Sequence, residues 1–165
     1  MPLVPMRQIL EEARKKNYGV GAYNVNNMEQ VQAIMAAAKE TQSPVIIQAS
    51  RGALKYSNFT YLKHIMFAAV EENPEIPIAV HLDHGNSLAT VKEAISLGFS
   101  SVMIDGSLKE DGKTPSDYAY NVGVTKSVVE YAHKFGVTVE AEIGRLGGIE
   151  DGVGSGSIHL TDPKE

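Results

Sequence analysis

The residues best suited to chemistry lie at the end of one apolar run. Residues Ile78–Gly85 read IAVHLDHG, so two histidines and a carboxylate follow a run of aliphatic residues. Side chains alternate along a strand, which predicts that His81 and Asp83 share a face, while His84 lies at the strand end where Gly85 turns the chain. A proton-transfer group and a metal ligand could then stand side by side at this strand end. The alternative is a pair of ordinary strand-end groups that bond to loop backbone.

A later apolar run carries two carboxylates. Residues 137–143 read VTVEAEI, and strand alternation puts Glu140 and Glu142 on one face. A buried carboxylate is costly unless it is paired, hydrogen-bonded or bound to a cation. Glu142, nearer the strand end, is therefore a candidate metal ligand, and Glu140 and His81 are candidate supporting groups. The alternative for the two glutamates is an internal ion pair.

Further polar residues follow other predicted strands. Asp105 precedes Gly106, although a helix or turn cap explains this aspartate equally well. Asn24 and Ser50 could help neighbouring backbone N–H groups to hold a phosphate. The glycine-rich segment 144–156 predicts a mobile loop that can close over a substrate. Glu150 in that segment is either an acid or base that enters the site, or a solvated loop carboxylate.

Strand and helix patterns alternate along the chain. Predicted strands cover residues 18–25, 44–49, 76–82, 100–105 and 136–143. Asn27 and Gln30 predict a capping box before the first of the helices between them. The apolar helical faces are Met28/Val31/Ile34/Met35/Ala38, Leu62/Ile65/Met66/Ala69, Leu88/Val91/Ala94/Ile95 and Val122/Val129/Ala132. Apolar strands joined by helical crossovers predict a parallel α/β sheet, either a (β/α)8 barrel or an open sheet, whose polar strand ends share one mouth.

Composition narrows the possible classes of protein. The 165 residues are 43% hydrophobic, which is enough for one domain with a sizeable core. The absence of cysteine leaves only nitrogen and oxygen ligands for a metal. A net charge of −5 without a basic cluster argues against nucleic acid as a partner. With no apolar run of about 18 residues and no signal-peptide pattern, we expect no membrane association and a cytoplasmic location.

The chain ends on a helix-start pattern. Asp162 is a candidate N-cap, Pro163 suits the first turn, and Glu165 follows three residues after the cap. A closed barrel has eight strands and typically about 250 residues. Five strands therefore predict that residues 1–165 are a single domain-sized, N-terminal portion of a larger barrel.

Four motifs, in order, resemble the class II fructose-1,6-bisphosphate aldolases: YNVNN at 23–27, HLDHG at 81–85, SVMIDG at 101–106 and VEAEIG at 139–144. The resemblance spans essentially the whole chain. It implies a zinc-dependent (β/α)8 barrel that reversibly cleaves fructose 1,6-bisphosphate to dihydroxyacetone phosphate and glyceraldehyde 3-phosphate in glycolysis and gluconeogenesis. Zinc can stabilise the enediolate as a Lewis acid, and no Schiff-base lysine is then needed.

The resemblance also implies roles for individual residues. His84 matches a zinc-binding histidine, Glu142 a carboxylate that binds or approaches the metal, and Asp105 a carboxylate near an alternate metal position. The expected cofactor is zinc, with a second divalent or monovalent cation as a further candidate. The other matches are Asp83 as the acid/base at the substrate hydroxyl or aldehyde oxygen, Glu150 as the mobile-loop glutamate that transfers a proton at the ketose carbon, and Asn24 and Ser50 near the substrate or its phosphate.

The same resemblance sets limits on the isolated chain. The family's other two zinc histidines and its glycine-rich phosphate segments fall after Glu165, so we expect weak metal binding and little or no activity from these residues alone. The implied partners are a phosphorylated sugar and, in the full-length form, further copies in a homodimer or homotetramer. Two alternatives stay open: a tagatose-bisphosphate aldolase, and a non-catalytic half-barrel that pairs its exposed sheet edge with another chain.

Overall fold

The fold is built on five parallel strands in sequential order. The computed structural model describes residues 3–144, 148–150, 153–155, 160–162 and 164. The strands are β1 (Ala22–Asn24), β2 (Val45–Ser50), β3 (Ile78–Gly85), β4 (Ser101–Ile104) and β5 (Thr138–Ala141). Each pairs in parallel with the next, in the order β1-β2-β3-β4-β5. This arrangement confirms the α/β prediction and is that of the first five β/α units of a (β/α)8 barrel.

Helices connect the strands. They are α1 (Met6–Lys16), α2 (Met28–Thr41), α3 (Arg51–Ser57), α4 (Phe59–Glu72), α5 (Leu88–Ser96) and α6 (Tyr118–Ala132), with a 3-10 helix at His133–Phe135. Side chains cap several of them: Asn27, Ser87 and Asp117 each accept a backbone N–H from the residue three positions on. Gln30 reaches back to the N–H of Asn26, one residue earlier than a capping box requires.

The two faces of the sheet have different partners. The outer face packs against helices and forms the main core, with Ile47, Val80 and Val102 fully buried. The inner face carries a row of paired residues across four strands, Gln48, His81, Ser101 and Thr138. We call this side the inner face because in a (β/α)8 barrel it lines the interior.

Helix α1 covers one end of the inner face, and the sequence pattern did not predict it. Met6 and Ile9 pack against Ile46 and Ala79, and the Arg7 N–H donates to Thr138 Oγ1 at 3.1 Å. These contacts lie at the amino-terminal ends of the strands. One cavity extends along the inner face from Met6 and Leu10 of α1 to Asp83 and Glu142 at the carboxyl ends of the strands. Helix α3 was likewise not predicted.

Two helical or loop predictions need correction. In α6, Val122 is 48% exposed, and the buried face is formed by Val128 and Ala132, four residues apart. The glycine-rich segment is not purely a loop, because β6 (Gly148–Glu150) pairs antiparallel with β7 (Val153–Ser155).

Near the end of the chain, Asp162 Oδ1 accepts the Lys164 N–H at 2.9 Å, as an N-cap would, while Pro163 and Glu165 lie outside the described residues.

Among the helices in the described part of the chain, none has both the length and the apolar character required to cross a bilayer.

Candidate metal and acid/base site

A β-bulge at the end of β3 brings two consecutive side chains to the inner face. Leu82 pairs with Val102 and Gly85 pairs with Ile104, so three steps along β3 match two along β4. His84 takes the left-handed conformation, with φ of 47°, and both Asp83 and His84 line the inner cavity. The chain therefore turns at His84 itself, one residue before the predicted glycine.

Gly85 permits this geometry by its lack of a side chain. A Cβ there would lie 2.6 Å from the Met103 carbonyl oxygen and 3.0 Å from Leu82 Cδ2. The first distance is too short for any side-chain carbon, so β3 and β4 can approach this closely only at a glycine. The His84 carbonyl is held from the other side, where Arg51 Nε donates to it at 2.9 Å.

Three side chains from three strand ends converge on one point. His84 Nδ1 lies 3.2 Å from Asp105 Oδ2 and 3.9 Å from Glu142 Oε2. One potential ligand atom from each residue falls within 4.8 Å of the other two. The three side chains are 13% to 18% exposed, so a ligand can reach a site that is largely shielded from water. The structure thus brings together the three residues predicted as metal ligands.

The two carboxylates of this cluster are held by different means. Burial raises the pKa of Asp105, but hydrogen bonds from His84 and from the Ser107 hydroxyl and N–H outweigh it and lower the pKa overall. Asp105 therefore caps the following turn, as one of the sequence interpretations expected, and also faces the cluster. Glu142 is the first residue beyond β5, and its backbone carbonyl accepts a hydrogen bond from Asn121 Nδ2 at 2.6 Å.

The donor set fits a divalent cation. Asp83, Asp105 and Glu142 place carboxylate oxygens 3.9, 3.2 and 3.9 Å from the ring nitrogens of His84. Three carboxylates around one imidazole carry an excess of negative charge, which a divalent cation would offset. Imidazole and carboxylate ligands suit zinc and other borderline or hard cations, so the residues could hold such an ion but do not specify the element.

Asp83 is oriented by a chain of amides. Asn24 Nδ2 donates to Asp83 Oδ2 at 2.7 Å, and Gln48 Nε2 donates to Asn24 Oδ1 at 2.8 Å. One carboxylate oxygen of Asp83 is therefore held by Asn24, while the other lies 3.9 Å from His84 Nε2. Asn24, predicted near the substrate, is here a partner of the predicted acid/base.

His81 and Glu140 form a separate pair deeper on the inner face. His81 is 1% exposed, with Nδ1 2.7 Å from Ser101 Oγ and Nε2 3.3 Å from Glu140 Oε2. The hydrogen bond from His81 lowers the pKa of Glu140, against the opposing effect of burial. An ionised carboxylate only accepts hydrogen bonds, so we assign the proton to Nε2 and, in the neutral ring, the Ser101 hydroxyl as donor to Nδ1. Glu140 thus has a hydrogen-bonded partner within the fold, as the alternative of internal pairing considered from the sequence requires.

The remaining predicted site residues are less central. Ser50 is buried on the inner face, and its hydroxyl accepts the Ala53 N–H at 3.2 Å as the N-cap of α3. The Glu150 backbone lies in β6, and its side chain falls outside the described residues. The inner face encloses a cavity of about 620 Å³ that Asp83, His84 and Glu142 line.

Four residues that support the site were given no role from the sequence. Arg51 holds the His84 carbonyl, Gln48 holds Asn24, Ser107 holds Asp105, and Asn121 holds the Glu142 carbonyl. Arg51, Gln48 and Asn121 contact residues that are far away in the sequence, and Ser107 is of a residue type that is common in turns. The only sequence signal for them was that Gln48 lies close to the end of its strand.

The fold and site are those of an α/β protein of the TIM-barrel class, with a cluster that could hold a metal ion at the carboxyl ends of parallel strands. The family model described as "Fructose-bisphosphate aldolase class-II" matches residues 4–165. This chain belongs to the class II fructose-bisphosphate aldolase family.

Individual relatives agree with this assignment. The fructose-bisphosphate aldolases of Giardia intestinalis and Xanthobacter flavus are 58% and 56% identical to this chain, covering all of it and 49% and 50% of those proteins. The chain thus spans about half the length of these curated relatives. Among solved structures, the YdjI aldolase of Escherichia coli K12 matches with a TM-score of 0.81 at 30% identity, over 98% of this chain and 55% of that one. A putative fructose-1,6-biphosphate aldolase of Coccidioides immitis matches with a TM-score of 0.81 at 31% identity, over 96% and 54%.

Proposed function

We propose that this chain carries the metal-binding and proton-transfer groups of a zinc-dependent aldolase. The proposed reaction is the reversible cleavage of fructose 1,6-bisphosphate to dihydroxyacetone phosphate and glyceraldehyde 3-phosphate. One observation carries the proposal: the His84, Asp105 and Glu142 cluster lies directly beside Asp83, a carboxylate oriented by Asn24. Ligand cluster and acid/base group thus occupy one cavity.

The metal-binding part rests on the ligand geometry. His84 and Glu142 would hold the ion, with Asp105 as a further or alternate ligand, because their donor atoms already lie within 4.8 Å of one another. A bound zinc ion supplies Lewis-acid stabilisation of the negative charge that develops on the ketone fragment. The bond from Arg51 and the bulge at Gly85 would keep the imidazole aimed at this point.

The proton-transfer part rests on Asp83. Cleavage between the third and fourth carbons of the ketose requires removal of the proton from the hydroxyl of the fourth carbon, and condensation returns it to the aldehyde oxygen. Asp83 would hold that proton, because it lines the cavity beside the metal ligands and one of its oxygens is fixed by Asn24. Glu150 would transfer the second proton at the ketose carbon.

The substrate-binding part rests on Asn24 and Ser50. Both lie at carboxyl ends of strands on the same side as Asp83, with Ser50 paired in register with it. These positions suit contact with a phosphorylated sugar whose reacting carbons lie over the metal. In this proposal Asn24 has two roles, because it also orients Asp83.

A chimera tests the proposal with a complete barrel. In it, this chain replaces the aligned half of the Giardia intestinalis aldolase, which is 58% identical to it. We expect zinc-dependent cleavage of fructose 1,6-bisphosphate. Asp83→Ala should lower turnover far more than zinc content, whereas His84→Ala should lower both. Equal zinc loss in the two variants would contradict the roles assigned to them.

Parallel assays separate the alternatives. Competition between fructose and tagatose bisphosphates identifies the preferred ketose. The isolated chain, assayed with zinc alone and with the complementary half supplied separately, tests whether activity requires both halves. A folded chimera that cleaves neither ketose bisphosphate would refute the aldolase proposal and favour the half-barrel assembly module.

A further inference from the structure

Asn121 contacts the backbone of two strand ends that carry predicted metal ligands. It lies in the first turn of α6, outside the cavity lining, and is partly buried. Its Nδ2 donates to the Glu142 carbonyl oxygen at 2.6 Å, and its Oδ1 accepts the Thr125 hydroxyl at 3.2 Å. Both ends of the amide are therefore engaged, which fixes its orientation.

The other contact of Asn121 is with the residue after Asp105. A Cβ on Gly106 would lie 3.1 Å from Asn121 Cα and would overlap Asn121 Oδ1. The backbone beyond β4 thus packs directly on this side chain, with no space for anything larger than glycine. One residue of α6 therefore contacts the chain next to Asp105 and the chain at Glu142.

The contact matters because the sheet ladder ends just before Glu142. The last pair between β4 and β5 joins Ile104 and Ala141, so both Asp105 and Glu142 lie one residue beyond it. Asp105 is anchored by its N–H, which donates to the Gly85 carbonyl at 2.9 Å. The hydrogen bond from Asn121 provides the corresponding anchor for the backbone of Glu142.

We propose that Asn121 is a positioning residue for the metal site. It would hold the Glu142 backbone against the end of β4, and so set the separation between the Glu142 and Asp105 carboxylates. A site whose ligands are held at the binding distance loses less conformational freedom when the ion binds, which raises affinity. This inference deepens the proposed function and rests on its metal site.

Zinc titration of the metal-free chimera by calorimetry tests the proposal. Asn121→Ala should weaken zinc binding about tenfold, the lower end of the range for residues that support metal ligands. Thr125→Val is the matched control, because it removes the neighbouring bond and leaves the donor to Glu142 in place; its affinity should stay at the parent value. Asn121→Leu, which fills the space without a donor, replaces the alanine variant if that variant does not fold.

A double-mutant cycle separates positioning from a general loss of structure. In a Glu142→Ala background the Asn121 substitution should change zinc affinity by less than about twofold, because the side chain it positions is gone. An equal loss of affinity in both backgrounds, or no loss in the parent, would overturn the role of Asn121. Failure of the unsubstituted chimera to bind zinc at all would instead refute the metal site on which the proposed function depends.

Discussion

Asp83 and His84 are consecutive residues, yet both face the inner cavity, with His84 Nε2 3.9 Å from Asp83 Oδ1. A regular strand would send them to opposite faces of the sheet. The bulge between Leu82 and Gly85, together with the left-handed backbone of His84, removes that restriction. The juxtaposition of the candidate ligand and the candidate acid/base therefore depends on one irregularity in one strand.

This dependence predicts a large effect of filling Gly85. Gly85→Ala would place a Cβ 2.6 Å from the Met103 carbonyl oxygen, so β3 and β4 would have to separate. We expect the free energy of unfolding to fall by about 2 kcal/mol, as for other overpacked buried sites. Urea denaturation followed by circular dichroism measures the change.

The control for that substitution is Gly123→Ala. Gly123 lies within α6, and a Cβ added there would have no neighbouring atom within 4 Å, so alanine should stabilise the helix by about 1 kcal/mol. Unchanged stability of the Gly85→Ala variant would contradict the prediction, because β3 and β4 would then separate at this point at little cost in free energy.

Asn24 should matter for turnover through Asp83. Asn24→Ala removes the amide that donates to Asp83 Oδ2 at 2.7 Å, which frees the carboxylate to rotate away from the reacting oxygen. In the chimera we expect the turnover number to fall by about tenfold or more, since misplaced acid/base groups lose much of their effect. Asn26→Ala is a matched substitution two residues away and should retain the parent rate. Equal rates for the two variants would argue against orientation of Asp83 by Asn24.

Ser101 should stabilise the fold through its hydrogen bond with the buried His81. Ser101→Ala would leave Nδ1 of His81 without its 2.7 Å partner at a position that is 1% exposed. An unsatisfied buried polar atom typically costs about 1 to 3 kcal/mol, and we expect a loss in that range. Ser127→Ala removes an exposed hydroxyl from α6 and should change stability by less than about 0.5 kcal/mol. Chemical denaturation measures the loss of unfolding free energy in both variants. Similar losses in the two would be inconsistent with a stabilising hydrogen bond between Ser101 and His81.

Asp111 should titrate far below its ordinary range. The Thr114 hydroxyl, followed by the Thr114 and Lys113 N–H groups, lowers the pKa of Asp111 to about 2. Because this pKa is below the unfolded value of about 3.9, the ionised group stabilises the fold above pH of about 4, and that contribution is lost as the pH falls towards 2. Carbon-detected NMR of the carboxyl group gives the midpoint directly.

Thr114→Val supplies the matching perturbation. It removes the hydroxyl donor and keeps the backbone donor, so the Asp111 midpoint should move upward. Lys113→Gln removes only a weaker charge attraction and should shift the midpoint less. A larger shift in the Lys113 variant than in the Thr114 variant would contradict this prediction, because the Thr114 hydroxyl would then not be the main cause of the lowered pKa.

Local patterns predicted the scaffold. The alternation of β-branched runs with helical faces predicted a parallel sheet, and the five strands appear in chain order. Period-two alternation also placed Glu140 and Glu142 on one face, and both line the inner cavity. These features follow from spacing along a single element, so they could be inferred without knowledge of any neighbouring segment.

Predictions failed where a neighbouring segment decides the outcome. The face of α6 was misplaced because Val122, Val128 and Val129 are all apolar, and only packing against the sheet distinguishes the buried valine. Helix α1 was not predicted, although it covers the inner face through Met6 and Ile9. The support that Asn121 gives to Glu142 joins residues 21 positions apart and leaves no periodic signal.

The sequence by itself determined the five strands of the sheet, the helices α2, α4, α5 and α6 and the types of side chain that end each strand, because hydrophobic periodicity and strand alternation are properties of the local chain. Only the tertiary structure decided that His84, Asp105 and Glu142 meet within 4.8 Å and that Asp83 turns towards the same cavity. The physical reason is that these distances depend on pairing between strands. A one-residue mismatch of β3 against β4 redirects side chains, and no single strand records its register with the next.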